Sequence, residues 1–225
     1  MNKNSRLISD STGEYDFFER FWLQIKSMKY LFLIPLLGYY GIVPLWVWAQ
    51  SFRSDFYVLD AIREISFLIV PFISSWWLLT YLKEYIEGAS REILLLGKGT
   101  FRTVFILWII NVICFLPLFR VADTEAPMLF LQLFILSFLS NGLAYFFAYY
   151  SGSMTVTMLF ILLFTVLSNY AFSQEIFSKV LSPFLYGGLG RAYFPDDLGV
   201  FVKFFFMGVF FWVFGAIKSK RYMNE

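Results

Sequence analysis

The residues best suited to chemistry sit in one polar island, Lys83–Arg102, reading KEYIEGASREILLLGKGTFR between two long apolar stretches. Glu87, Arg91 and Glu92 place an acid, a base and an acid within two helical turns, with Tyr85 just before them. Ile86, Ile93, Leu94 and Leu95 form an apolar face, while Glu84, Glu87, Arg91, Glu92 and Lys98 stay wet. That is the profile of a short helix lying on a membrane surface and offered to a soluble partner through ion pairs. The competing reading is a solvated charge run that caps two spans. A second group is polar but uncharged: Ser66, Ser74, Ser75 and Thr80 in one apolar stretch, and Thr155, Thr157, Thr165, Ser168 and Asn169 in another. Hydroxyls inside a membrane either line a path or pair helices.

Bond-making chemistry is poorly provided for. The chain has no histidine, which argues against Ser-His-Asp hydrolysis and His-ligated metal sites. Cys114 is the only cysteine and lies in an apolar run, so it reads as a packing thiol. A phosphate-cradling loop needs glycine, four residues, then Gly-Lys-Ser/Thr. Gly97-Lys98 is followed by Gly99, and Glu92 stands where the first glycine is required. No cofactor is therefore expected on this chain, and no intramembrane carboxylate offers a proton relay.

The elements that hold these residues are membrane spans. Of 225 residues 59% are hydrophobic, 23% aromatic and only 15% charged, with mean hydropathy +0.67. A soluble domain is nearer one-quarter charged. The net charge of +2 leaves no nucleic-acid footprint. At roughly 20 apolar residues per span, six candidates appear: Tyr30–Ala49, Ile65–Leu82, Thr103–Leu118, Pro127–Tyr150, Met154–Tyr170 and Leu198–Ile217. The expected fold is an all-α membrane protein with a six-span body over 30–217, a segment 1–29 before it and a tail 218–225. The first fifteen residues are polar and show no cleavable signal pattern. Glu14–Met28 sets Phe17, Phe18, Phe21, Trp22 and Ile25 at helical spacing, as an interfacial helix or a juxtamembrane anchor.

Lysine and arginine counts set the orientation. Lys3, Arg6, Arg20, Lys26, Lys29, Lys83, Arg91, Lys98, Arg102, Lys218, Lys220 and Arg221 fall on one side. Arg53, Arg63, Arg120, Lys179 and Arg191 fall on the other, and Lys203 lies inside the last span. Both termini and the island are expected in the cytoplasm. Ser151-Gly152-Ser153 forces spans four and five into a tight antiparallel hairpin. Ser140, Ala144 and Ala148 repeat every four residues as a packing stripe. On the outer side Ile176–Leu185 carries Val180 and Leu181 on a helical apolar face. It is too short to span, so it reads as an interfacial or re-entrant helix rather than a loop.

An interfacial N-terminal helix, six spans with both ends inside, an amphipathic island after span two and a short external helix before span six form a pattern. It resembles the type 2 permeases of the ATP-binding-cassette transporter superfamily. The closest motif is Glu87-Gly88-Ala89-Ser90-Arg91-Glu92-Ile93-Leu94-Leu95 followed by Lys98, against a family pattern of an acidic residue, a Gly-Thr-like pair, Glu-Leu-Leu and a basic residue. Ala89-Ser90 replaces the usual threonine, and the proline after the leucines is missing. The resemblance implies that Tyr85–Leu95 is a coupling helix that docks on a separate ATPase subunit through Glu87, Arg91 and Glu92, ATP being consumed there. It also implies a second permease subunit, and a path lined by spans two and five, hence by Ser74, Ser75, Thr157, Thr165 and Asn169. Such a path suits an amphiphilic cargo, peptide or lipid-like. Two other classes compete. One is a membrane assembly factor that recruits a cytoplasmic protein through the same island without transport. The other is an intramembrane enzyme, which the missing histidine disfavours.

Overall fold

Apolar runs of this length fold as helices because a bilayer offers no water to pair backbone groups. The computed structural model describes residues 22, 25–26, 28–54, 56–88, 100–119, 125–173, 189 and 196–222, and its regular elements are all helical. Five helices are long and apolar enough to cross a membrane: α1 (Tyr30–Gln50), α2 (Val58–Ile86), α3 (Thr100–Phe119), α4 (Ala126–Ser151) and α6 (Leu198–Arg221). Between α4 and α6 lies α5, Met154–Ser173, a helix of 20 residues that is apolar over Met154–Ser168. The interfacial helix expected over Glu14–Met28 and the external segment Ile176–Leu185 lie largely or wholly outside the described residues.

Hydropathy located the helices but underestimated their lengths. α2 starts at Val58 rather than Ile65, and α6 continues helical to Tyr222, through most of the expected tail. At about 1.5 Å per residue, α2 reaches about 43 Å against a hydrocarbon core of about 30 Å. Its polar first turns project beyond that core, where Arg63 joins Asp60 at 3.0 Å and Glu125, just before α4, at 3.2 Å.

α1 is a composite helix. Pro44 lacks an N–H, so the carbonyl of Tyr40 loses its ordinary donor, and the chain widens to π-type turns over Gly38–Ile42. Neighbours hold this irregular helix in place. Trp76 and Trp77 of α2 donate their indole N–H groups to the carbonyls of Leu31 and Phe32 at 3.1 and 2.9 Å. The buried Tyr39 hydroxyl donates to Asn111 Oδ1 of α3 at 2.8 Å. Trp76 and Trp77 thus serve packing.

α2 and α4 form the buried centre, and α5 and α6 flank them. Ser140, Ala144 and Ala148 are buried as the packing stripe requires, and Ser140 Oγ meets Ser74 Oγ at 3.1 Å. Glycines make the α4–α6 seam closer still. A Cβ added to Gly142 would lie 3.0 Å from the carbonyl oxygen of Gly208, and one at Gly208 would lie 2.6 Å from the Phe138 ring. Trp212 Nε1 donates to the Phe138 carbonyl at 3.0 Å, and the Tyr145 hydroxyl donates to Ser219 Oγ at 3.0 Å. By contrast Leu45, Trp48, Ile113, Leu159, Leu163, Phe206 and Phe210 point outward. At about 25 cal/mol per Å² this surface would be costly in water and is at no disadvantage in lipid. The chain is membrane-embedded.

Candidate functional site at the α2–α5 junction

The end of α2 and the start of α5 meet at the edge of the charged island. α4 stops at Gly152, whose φ of +65° is the left-handed conformation that glycine adopts freely, and its N–H caps the Ala148 carbonyl at 3.2 Å. Ser153 follows, and α5 begins at Met154. Ser151 Oγ accepts from the Ser153 N–H at 3.2 Å, and Thr157 Oγ1 donates to the Ser153 carbonyl at 2.9 Å. The expected hairpin is present, and Phe147 stacks on Phe160 at 3.8 Å across it.

The first N–H groups of a helix have no partner within it. Here the Met154 N–H donates to Glu87 Oε1 at 2.6 Å. Glu87 is the residue that closes α2, its own N–H bonded to the Lys83 carbonyl at 2.8 Å. One carboxylate therefore ties the end of α2 to the beginning of α5, and its negative charge sits at the positive end of the α5 dipole. The contact is a short hydrogen bond to a carboxylate, a direct link between the end of α2 and the first turn of α5.

Of the four residues expected at the docking surface, Arg91 and Glu92 lie outside the described residues. Glu87 is exposed and engaged as the α5 cap. Tyr85 departs from expectation: it belongs to α2, is buried, and accepts a 2.9 Å hydrogen bond from the Tyr81 hydroxyl. Helical geometry explains this, since Leu78, Leu82 and Tyr85 recur at four- and three-residue steps on one face of α2 and all three are buried.

The expected hydroxyl lining is also turned inward. Ser75 Oγ donates to the Pro71 carbonyl at 2.8 Å, and Ser74 faces α4 through Ser140. Thr157 is fully buried at the junction, and Thr165 Oγ1 returns to the Ile161 carbonyl at 2.7 Å. The side chain of Asn169, and Val180 and Leu181 entirely, lie outside the described part. Between α1, α2 and α5 there is instead an apolar groove of about 490 Å³, lined by Leu37, Gly38, Leu68, Phe72, Leu162 and Val166 among others. Among the described residues Thr165 is the one expected path residue on its wall. Lys203, flagged by its position in the last span, sits 5.0 Å from the Phe204 ring centroid.

The Glu87–Met154 contact left no mark in the sequence, because its partners are 67 positions apart and one of them is a backbone amide. No family model, curated protein or solved structure matches the chain.

Proposed function

We propose that this chain is the permease subunit of an ATP-binding-cassette exporter of the type 2 kind, carrying an amphiphilic cargo across the cytoplasmic membrane. α5 serves as the sixth span, and both termini and the island face the cytoplasm. The island docks on a separate ATPase subunit that consumes the ATP, and a second permease subunit, the same or homologous, completes the path. The observation that supports this reading best is the Glu87–Met154 bond, which links the island to α5 at the point where a docked motor would push. Transmission of rigid-body motion needs such a stiff connection between a docking element and a span. The apolar groove beside α5 favours the hydrocarbon part of an amphiphile over a small ion.

Affinity purification from mild detergent tests the reading. An ATPase subunit with a phosphate-cradling loop should accompany the chain in a fixed ratio. Purification with a soluble protein that is not an ATPase would move the chain to the class of recruitment factors.

A further inference from the structure

A second groove, which shares no lining residue with the first, lies between α3 and α6. It encloses about 330 Å³, with Phe101, Phe105, Phe138 and Trp212 forming its aromatic floor and Val213 and Ile217 on its open wall. Its polar groups are accounted for: the Trp212 indole N–H is held by the Phe138 carbonyl. Among the described residues the single ionisable one lining it is Lys220, in the last turn of α6 beside Arg221. Among the described residues no carboxylate pairs with Lys220.

The length of this groove is informative. It follows α6 from Val209, near the middle of that helix, to Lys220 at its end. At about 1.5 Å per residue that is about 16 Å, close to half of a hydrocarbon core of about 30 Å. The groove is therefore one leaflet deep, apolar along its length, and closed at the polar boundary by one cation. A cation there pairs with an anionic headgroup while its methylene stem stays in the hydrocarbon.

We infer that the α3–α6 groove is a binding site for an anionic phospholipid of the leaflet at the island end, with one acyl chain against Phe101, Phe105 and Trp212 and its phosphate on Lys220. Among the described residues the groove along α1, α2 and α5 has no ionisable residue on its wall, and so no headgroup contact there. This inference requires only that the chain be membrane-embedded, so it stands apart from the ATPase partnership.

Native mass spectrometry of the purified protein tests it, with phosphatidylglycerol and phosphatidylcholine of identical acyl chains as probes. The wild type should retain phosphatidylglycerol preferentially. Lys220→Gln should reduce that preference about fivefold, the effect of one basic residue at a membrane surface, while Lys218→Gln leaves it unchanged. Val213→Trp, at an exposed position, and Ala216→Phe should each obstruct the groove and lower retention of both lipids. Thermal unfolding identifies any variant that has lost its fold, and the other groove variant then decides. Equal retention of the two lipids by the wild type would overturn the site. So would an equal loss in Lys218→Gln, or unchanged retention in a folded groove variant.

Discussion

Replacing Glu87 with alanine is expected to leave the ATPase subunit bound but to disconnect its ATP cycle from the membrane. Arg91 and Glu92 would still dock, while the Met154 N–H would lose its acceptor. A carboxylate at a helix N-terminus contributes about 1 kcal/mol, so the start of α5 should open about fivefold more often. The measurable signature is a split between two quantities in one preparation. Capture of the ATPase in a pull-down should stay near that of the wild type. Transport-coupled ATP hydrolysis in proteoliposomes should fall several-fold. Glu87→Gln keeps an acceptor oxygen without the charge and should lie between the two. Replacing Arg91 and Glu92 together should give the opposite pattern, with the ATPase lost and the spans intact. If Glu87→Ala released the ATPase as readily as that double variant, Glu87 would be a docking residue rather than the link to α5.

The second large effect is expected at the α4–α6 seam. Gly142→Val places a branched side chain where the nearest neighbours are the Gly208 carbonyl oxygen at 3.0 Å and the Trp212 ring at 2.9 Å. A carbonyl of a packed helix cannot rotate aside as a flexible side chain does, so α6 must move away. Overpacking of this kind costs about 1–3 kcal/mol, and here it also threatens the Trp212–Phe138 and Tyr145–Ser219 hydrogen bonds that run along the same seam. The melting temperature in detergent should fall by several degrees, and monodispersity on size exclusion should be lost. Gly41→Ala is the control: nothing lies within 4 Å of its added Cβ, and alanine favours the helix. An unchanged melting temperature in Gly142→Val would mean that the seam is looser than the structure shows.

Some of this was legible in the residues. Among the described residues apolar length located the six long helices, and Ser151-Gly152-Ser153 announced the hairpin, because both are local properties. Ser140, Ala144 and Ala148 were readable as a packing stripe from their spacing alone. Gly208 and Gly215 carry the same kind of signal at seven-residue spacing, but each faces α4 only because α6 packs there. The partners of Ser74, Ser75 and Thr165 were not legible, because a sequence shows that a span is polar and not which way its polar side chains turn. In an apolar medium those hydroxyls satisfy themselves on the preceding turn or on a neighbouring helix. Helix ends were displaced because hydropathy registers the lipid boundary, whereas backbone hydrogen bonding carries α2 and α6 past it. The Glu87 cap was invisible, since no spacing rule joins a carboxylate to a distant amide.

In the proposed function the island after α2 docks on a cytoplasmic ATPase. A photo-crosslinking amino acid placed at Glu92 and activated in intact cells tests it most directly, with the same probe at Ser54, in the connection between α1 and α2, as the reference on the other side. One dominant adduct is expected from Glu92, an ATPase subunit with a phosphate-cradling loop, and no such adduct from Ser54. An ATPase adduct from Ser54 in place of Glu92, or lipid as the sole adduct at Glu92 in cells that contain the ATPase, would contradict it.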